Sequence, residues 1–351
     1  MLSLQALSER VGTAAESGTA LRLRGGGSKD FYGGLLAGEL LDLSGYRGVV
    51  DYDPGELCIT ARCGTPLAEV EALLAANGQM LAFEPPHFGP ATFGGAIAAG
   101  LSGPRRAQAG AVRDFILGVR IVDGRGQILN FGGRVMKNVA GYDVSRLMVG
   151  SLGTLGIVAE ATLKLLPRPA CEVTLAFELD QAGAIEALNR WAGQALPLSA
   201  TFWHDDLLQL RLSGAKAAVE AARARLGGAI VDVPDFWENV REHRHPAFKS
   251  EVLWRLAVPS AAGPLSLPGE VTLEWNGGQR WLRTDADAET VRSVAREAGG
   301  HAVLFRAPES MRCREGVFAP LAPALLAVHR RLKKVFDPRG ILNPGRMTAE
   351  L

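Results

Sequence analysis

Apolar and polar positions along the first half of the chain predict short strands with a few helices between them. Apolar residues from Leu4 to about Glu16 follow a helical spacing, whereas residues 20–24 alternate and run into three consecutive glycines. Residues 48–52 and 57–62 alternate on either side of Asp53-Pro54-Gly55, a sequence that favours a tight turn. The pattern therefore predicts a helix, a strand with a glycine-rich turn, and a hairpin.

A helix and three more strands complete this half. Thr65 as N-cap and Pro66 at the first helical position predict a helix that ends at Asn77-Gly78. Three further apolar runs are typical of strands: residues 115–122, 127–131 and 155–166. Pro167 and Pro169 then mark a boundary, so residues 1–168 are predicted to form one domain.

The second half predicts an antiparallel sheet with helices on one face, an α+β arrangement that caps the first domain. The predicted strands are residues 172–177, 200–203, 207–212, 252–257, 271–274, 279–283 and 302–305, and the predicted helices are 181–195, 216–226 and 286–298. This cap domain is predicted to span residues 169–310. Residues 311–351 are predicted to form a helix, with apolar positions from Leu321 to Val335, and a turn-rich tail that returns to the first domain.

Glycine is concentrated in the first half. Of the 42 glycines, 28 lie in residues 1–168. The glycine content of this half is therefore well above the roughly 7% of an average protein. A chain of 351 residues exceeds the usual size of one hydrophobic core, so two domains are expected. The first of them is predicted to bind its ligand through the backbone.

Charge excludes some classes of partner. The 38 basic and 37 acidic residues leave a net charge of +1, which provides no broad field for nucleic acid or an anionic membrane. Residues 1–12 do not have the pattern of a secretory signal, and residues 85–104 are too rich in glycine and proline for a membrane span. We therefore expect a cytoplasmic protein that does not itself insert into lipid.

The four cysteines show no CxxC spacing, and no metal site is expected.

The first glycine segment, residues 24–29, is a candidate phosphate site. Consecutive glycines can turn their N–H groups toward one anion, and flanking basic side chains add charge. The same sequence is also typical of a mobile surface turn. Its residues are Arg24, Gly25, Gly26, Gly27, Ser28 and Lys29.

The second glycine segment follows Glu84-Pro85-Pro86 and begins with Thr92. Thr92 is predicted to cap a short helix whose N-terminus faces a pyrophosphate, although a tightly packed core helix would have the same small residues. Its candidate ligand residues are Pro86, Thr92, Gly94, Gly95, Gly100 and Gly103.

The third glycine segment spans residues 138–158 and suits an irregular loop that runs beneath a flat ring into a strand. Each glycine segment alone also fits a plain connector, but the three together favour one binding site. The candidate residues here are Asn138, Gly141, Tyr142, Gly150, Gly153, Gly156, Ile157 and Val158. Neither a Walker loop nor a GxGxxG turn is present in the sequence.

Taken in order, RGGGSK, PP…ATFGGAIAAG, VRDFILGVRIVDGRG, KNVAGYDVSRLMVGSLGTLGIV and FDPRGILNPGRM resemble the FAD-linked oxidase family with the p-cresol methylhydroxylase-type FAD domain. Within that family the chain is most similar to the FAD-binding E subunits of bacterial glycolate oxidases. The resemblance implies a two-part FAD domain, with the pyrophosphate between the first two glycine segments, and a cap over the isoalloxazine ring. Relatives with covalent FAD carry a histidine in the first glycine loop, where this chain has Ser28 and Lys29, so noncovalent FAD is expected.

For a 2-hydroxy acid, the site needs a cation for the carboxylate and a base for the hydroxyl proton. Arg255 and Arg283 lie on predicted cap strands, so either is a candidate for the cation. His243 and His245 would share a face if extended, which makes His245 a candidate base. The charged residues around the pair are more often typical of a solvated surface.

The resemblance implies a complex with a larger FAD-binding paralogue and an iron-sulfur subunit that passes electrons to quinone, with membrane association only through those partners. Catalytic relatives carry an HxGDGNxH motif that this sequence lacks. Three functions therefore stay open: a dehydrogenase subunit for glycolate or a similar acid, a flavin-binding relay or structural subunit, and a free-standing oxidase of a sugar or lactone.

Overall fold

The computed structural model describes residues 2–133 and 142–348. Helices and strands of the first half follow one another closely along the chain. They are α1 (Leu4–Ser17), β1 (Leu21–Arg24), β2 (Glu39–Asp42), β3 (Val49–Asp53), β4 (Cys58–Arg62), α2 (Leu67–Ala76), β5 (Gln79–Met80), α3 (Phe93–Ala99), α4 (Arg106–Ala109), α5 (Val112–Phe115), β6 (Ile116–Val122), β7 (Ile128–Gly132), α6 (Val144–Met148), β8 (Ile157–Lys164) and β9 (Leu166–Pro167).

Two of the three sheets in this half define its two parts, and the third is the short antiparallel pair of β5 and β9. Strands β1 and β2 form a parallel pair, and five antiparallel strands form a second sheet in the order β3-β4-β8-β6-β7. The second sheet and α2 and α3 bury a common core that includes Ile59, Leu74, Phe93, Ile97 and Ile121. The first half therefore mixes helices with antiparallel strands and consists of two parts, as predicted.

The starts of two helices test the predicted caps. The Thr92 side chain accepts a hydrogen bond from the Gly95 N–H and caps α3, as predicted. The prediction for Thr65 is wrong, because Pro66 is the N-cap of α2 and makes no side-chain capping bond. The Thr65 hydroxyl instead accepts from the Gly48 N–H at 2.9 Å, so it holds the preceding loop.

The second half builds one large sheet. Its elements are β10 (Cys171–Glu178), α7 (Gln181–Ala192), β11 (Leu198–His204), β12 (Leu207–Gly214), α8 (Lys216–Leu226), β13 (Ala229–Val231), α9 (Phe236–Arg241), β14 (Leu253–Ala257), β15 (Glu270–Glu274), β16 (Gln279–Arg283), α10 (Ala288–Glu297), β17 (His301–Arg306), α11 (Glu309–Glu315) and α12 (Pro323–Phe336). The eight strands run in the order β13-β10-β12-β11-β15-β16-β14-β17, and every pairing is antiparallel.

The two faces of this sheet pack against different parts of the molecule, because successive side chains along a strand point to opposite faces. Leu282 and Leu304 point to the face that packs against α10. Trp281 and Phe305, their neighbours in sequence, point to the other face and pack with Tyr32 of the first half. The inner face of the cap sheet therefore lies against the glycine-rich half.

The chain ends with α12 and a tail that returns to the first half. Phe336 is buried in the core of the first half, and the Lys333 ammonium donates to the Thr154 carbonyl and to Asp337. Leu342 bridges to Leu21 of β1. None of the helices in the described ranges is both long and apolar enough to cross a bilayer.

Candidate functional site

The three glycine segments meet around one cavity, here called the glycine cavity. Strand β1 ends at the first segment, α3 lies in the second, and β8 begins at the end of the third, so three separate elements supply its wall. The cavity is lined by Leu23, Arg24, Gly25, Gly26, Gly27, Ser28, Lys29, Asp30, Leu36, Leu43, Cys63, Thr92, Gly94, Gly95, Ala98, Ala99, Leu152, Gly153, Gly156, Ile157, Val158, Asn343 and Arg346.

Close approach of the backbone explains why glycine occurs here. A Cβ on Gly26 would lie 1.4 Å from the Pro90 carbonyl oxygen, and one on Gly94 would lie 2.4 Å from the Cys63 Cβ. At Gly153, where φ is +73°, a Cβ would meet the Asn343 amide at 2.7 Å. Side chains at these positions would push the segments apart, so glycine keeps the wall of the cavity together.

The first segment has the chemistry of an anion site. Hydrogen bonds within the described ranges include none donated by the backbone N–H groups of residues 25–28, so these donors are available to a ligand. Burial lowers the pKa of Lys29 to about 8, against the attraction of Glu242. The Lys29 ammonium donates to the His87 carbonyl at 3.1 Å, which fixes its position at the cavity. Consecutive N–H groups beside a half-buried cation fit a diphosphate.

The C-terminal tail closes the cavity with two residues that the sequence interpretation did not single out. The Asn343 amide accepts from the Leu23 N–H at 2.7 Å and donates to the Leu152 carbonyl at 2.6 Å, which ties β1 to the third glycine segment. The buried Arg346 guanidinium donates to backbone carbonyls of residues 29–34. The terminal motif FDPRGILNPGRM was the available signal for both.

The structure brings most of the predicted cofactor residues to the glycine cavity. Those that line it are Arg24, Gly25, Gly26, Gly27, Ser28, Lys29, Thr92, Gly94, Gly95, Gly153, Gly156, Ile157 and Val158. Gly100 and Gly150 pack against each other behind it, since a Cβ on Gly100 would lie 2.9 Å from the Gly150 Cα. Tyr142 is 96% exposed and does not line it. Asn138 and Gly141 lie outside the described residues.

A second cavity, here called the aromatic cavity, lies between the glycine-rich half and the large antiparallel sheet of the second half, here called the cap sheet. Predicted residues Pro86 and Gly103 line this cavity instead of the first. The Lys29 ammonium, at the wall of the glycine cavity, lies 5.7 Å from the Phe88 ring of the aromatic cavity, so the two adjoin. Its lining is Pro86, Phe88, Leu101, Ser102, Gly103, Pro104, Val240, Arg241, His243, Arg255, Glu274, Gln279, Trp281 and Phe305.

Arg255 is the predicted cation that the structure does place in the aromatic cavity. It lies on β14, directly opposite Trp281 and Val303 on the inner face of the cap sheet. Its guanidinium donates to the Tyr32 hydroxyl at 3.3 Å and lies 5.7 Å from the Phe305 ring centroid. A cation is thus held among aromatic rings at the boundary of the two halves.

Two titratable side chains of the aromatic cavity were missed by the sequence interpretation. Burial raises the pKa of Glu274 to about 7, although its carboxylate accepts from Trp281 Nε1 at 2.5 Å and Gln279 Nε2 at 3.0 Å. Burial also lowers the pKa of His243 well below its ordinary value. No sequence motif marks either residue; only the pairing of the cap strands and the turn after α9 bring them to the cavity.

The structure does not bring His245 and Arg283 to this cavity. His245 lies in a separate cleft with His204, and their ring centroids are 5.8 Å apart. Arg283 forms an ion pair with Glu270 at the end of its strand and donates to the Lys249 carbonyl.

Comparison with known proteins agrees with this geometry. Residues 3–132 match the family model of an FAD binding domain, and residues 319–347 match that of the C-terminal domain of FAD linked oxidases. The glycolate oxidase subunit GlcE of Escherichia coli (strain K12) is 48% identical over 349 residues, which are 99% of this chain and 98% of that protein.

More distant relatives match a part of their length. The glycolate oxidase subunit GlcD of Bacillus subtilis (strain 168) is 33% identical over 44% of this chain and 33% of its own length. The D-2-hydroxyglutarate dehydrogenase of Xanthomonas citri pv. viticola is 36% identical over 43% of this chain and 33% of its own length. A solved structure of alkyldihydroxyacetonephosphate synthase has the same fold, with a TM-score of 0.67 at 17% identity over 97% of this chain and 74% of that one.

Fold and cavities together define a dinucleotide-binding protein with a cap domain. The chain belongs to the FAD-linked oxidase family. FAD is the cofactor of the domain that its first half carries. The glycine cavity fits that cofactor, because its close-packed glycines, available N–H groups and half-buried Lys29 suit a diphosphate.

Proposed function

We propose that the chain is the FAD-binding subunit of a dehydrogenase complex for glycolate or a similar short 2-hydroxy acid. The observation that carries this proposal is the 48% identity to a glycolate oxidase subunit over nearly the whole length of both chains. The aromatic cavity supports it, since it offers Arg255 to a small carboxylate beside the cofactor cavity.

Bound FAD supplies the hydride acceptor, and the chain supplies binding, orientation and exclusion of water. Residues 25–28 and Lys29 hold the diphosphate without a covalent link, since the first glycine loop has Ser28 and Lys29 where some relatives have a histidine. The rings of Phe88, Trp281 and Phe305 pack edge-on and give the aromatic cavity an apolar wall.

In the proposed complex, a larger FAD-binding paralogue and an iron-sulfur subunit pass the electrons on to quinone. The identity to GlcE and the partial match to GlcD support the paralogous pair. Attachment to the inner membrane would come through these partners.

A second candidate is a flavin-binding relay or structural subunit without substrate oxidation of its own. The sequence favours it in one respect, because the HxGDGNxH motif of catalytic relatives is absent from all 351 residues.

One experiment separates the candidates. The purified chain with FAD is mixed anaerobically with glycolate, first alone and then with its partner subunits, and flavin absorbance is followed. Reduction of the flavin in the chain alone supports the dehydrogenase subunit, and reduction only in the assembled complex supports the relay. Both candidates would be contradicted if glycolate reduced the flavin neither in the chain alone nor in the complex, while the chain alone oxidised a sugar or lactone with oxygen.

A further inference from the structure

We propose that the aromatic cavity binds the carboxylate of a small 2-hydroxy acid on Arg255, and that His243 accepts the proton of its hydroxyl group. This inference rests on the proposed function and names the residues of this chain that would carry it out. It replaces His245, the sequence-predicted base, with its neighbour two positions earlier.

The Arg255 guanidinium lies among aromatic rings and is available to bind an anion. It donates to the Tyr32 hydroxyl at 3.3 Å and lies over the Tyr32 and Phe305 rings, with centroids at 5.8 and 5.7 Å. Within the described part of the chain, no carboxylate forms a salt bridge with it. A guanidinium presents paired N–H donors that match a carboxylate, and the surrounding rings strengthen that interaction by excluding water.

The imidazole ring of His243 is fixed by packing and has an unpaired nitrogen. Its ring stacks on Phe248 with centroids 4.1 Å apart and an angle of 8°, and it meets the Trp281 ring edge-on at 4.6 Å. Nδ1 is buried and has no hydrogen-bond partner among residues 2–133 and 142–348. The backbone at His243 is left-handed, with φ of +52°, a conformation that is uncommon for a residue other than glycine. A ring fixed by packing with an unpaired nitrogen at a cavity is suited to hydrogen-bond a ligand.

The charges around His243 keep its ring neutral until a ligand binds. Burial is the main reason that its pKa is low, and the nearby Arg306 and Arg255 lower it further. Arg241 and Glu274 are the other charged or titratable groups that line the cavity. A substrate carboxylate on Arg255 offsets one of the two cations, so its binding raises the pKa of His243 and makes the ring a stronger base.

Oxidation of the hydroxy acid needs a base for one proton and an acceptor for one hydride. The substrate loses its O–H proton to the imidazole, and its Cα–H bond breaks with the electron pair leaving as hydride to the oxidised flavin. The Cα–O bond becomes a carbonyl, and the products are a 2-oxo acid, an imidazolium and a two-electron-reduced flavin.

Glu274 is a less suitable base than His243. Its Oε2 already accepts hydrogen bonds from Trp281 Nε1 and Gln279 Nε2, and these contacts orient the Trp281 ring against His243. We therefore assign Glu274 a positioning role.

Binding of glyoxylate, the 2-oxo acid that glycolate yields, tests Arg255 without turnover. Calorimetry on the full chain with FAD should show glyoxylate binding that weakens roughly 10- to 100-fold in Arg255→Met and less in Arg255→Lys. Arg296→Met, which removes an exposed guanidinium of α10, serves as the matched control and should bind as the parent does. Equal binding by Arg255→Met and the parent, both with full FAD content, would overturn the anion site.

Flavin reduction by glycolate in the assembled complex tests His243. His243→Asn should reduce its flavin about 10²- to 10⁴-fold more slowly while glyoxylate affinity stays near that of the parent. The parent rate should rise with pH as the imidazole loses its proton, and this rise should persist in Glu274→Gln and vanish in His243→Asn. His329→Asn on α12 is the matched control.

Unchanged reduction in His243→Asn would overturn its role as base. If glycolate reduces no flavin in any assembly, the proposed function and the role of His243 both fail. Glyoxylate binding that depends on Arg255 would then still establish the anion site, so the two failures are distinguishable.

Discussion

At the scale of single residues, the glycine cavity depends on places where a side chain does not fit. Gly26 approaches the Pro90 carbonyl and Gly94 approaches Cys63 so closely that a Cβ would overlap them. The sequence identifies the glycines, but three separate runs of glycine do not reveal which carbonyl each one faces. That information lies in contacts between segments far apart in the chain.

Substitution of Gly26 tests this directly. Gly26→Ala should abolish FAD binding, because its Cβ would fall 1.4 Å from the Pro90 oxygen and separate the first two segments. The matched control is Gly263→Ala, where a Cβ meets nothing within 4 Å. FAD content, measured by absorbance after purification, should be lost in the first variant and kept in the second. Equal content in both would contradict the close-packed wall.

Lys29 gives the FAD affinity a dependence on pH. Its pKa of about 8 in the free protein means that the side chain becomes neutral as pH rises through 8. A bound diphosphate favours the cation and raises that pKa, so affinity should be greatest below pH 8 and fall above it by at most about tenfold per pH unit. Fluorescence titration with FAD between pH 6.5 and 9.5 measures this change.

Lys29→Met should bind FAD more weakly below pH 8 and lose most of the decline above it. Lys216→Met, at an exposed helical position, is the control and should keep the parent profile. A parent affinity that is constant across this range would show that Lys29 does not act on the diphosphate.

At the scale of helices and strands, local patterns predicted most elements and failed where the backbone departs from a regular form. The hairpin of β3 and β4 and the cap at Thr92 follow from local chemistry. His243 and His245 would share a face only in an extended chain. The left-handed φ at His243 ends α9 with a turn, so the two rings enter different cavities.

The C-terminal tail joins two segments of the glycine cavity through the side chain of Asn343. Asn343→Ala should lower the unfolding free energy by about 1–3 kcal/mol for each buried backbone group left unpaired, at Leu23 and Leu152. It should also weaken FAD binding, because these bonds join two segments of the cavity. Urea unfolding measures the loss, and Asn130→Ala, whose side chain bonds only at the exposed surface, should change it little. A tail variant as stable as the parent would contradict this role.

At the scale of the whole molecule, a buried ion pair joins the two halves. The Arg211 guanidinium on the cap donates to both oxygens of Glu84, at 2.8 and 3.0 Å, and Glu84 also accepts from the Arg105 N–H. The Arg105 guanidinium also donates to Glu84, from Nε to Oε1 at 3.3 Å, so loss of Arg211 leaves Glu84 with one of its two cations.

Arg211→Met removes two charge-assisted hydrogen bonds to Glu84 and should lower the unfolding free energy by about 1.5–3 kcal/mol, as measured by urea unfolding. Arg190→Met removes an exposed ion pair with Glu186 and should cost about 0–1 kcal/mol. Comparable losses in the two variants would show that the link between the halves is not buried in solution.

The resemblance to the FAD-linked oxidases predicted the family, the fold and the cofactor, and all three are confirmed. Sequence patterns alone did not reveal the aromatic cavity, because Arg255, His243 and Glu274 come together only through strand pairing and the contact of the two halves. The proposed domain boundaries and the individual ligand residues stay predictions.

The central claim is that three glycine segments and the C-terminal tail form one FAD site. Equilibrium titration of the purified, folded chain with FAD tests it most directly. We predict saturable binding of one equivalent of FAD, which Gly26→Ala abolishes and Gly263→Ala keeps. A chain with native secondary structure that takes up no FAD would contradict the claim.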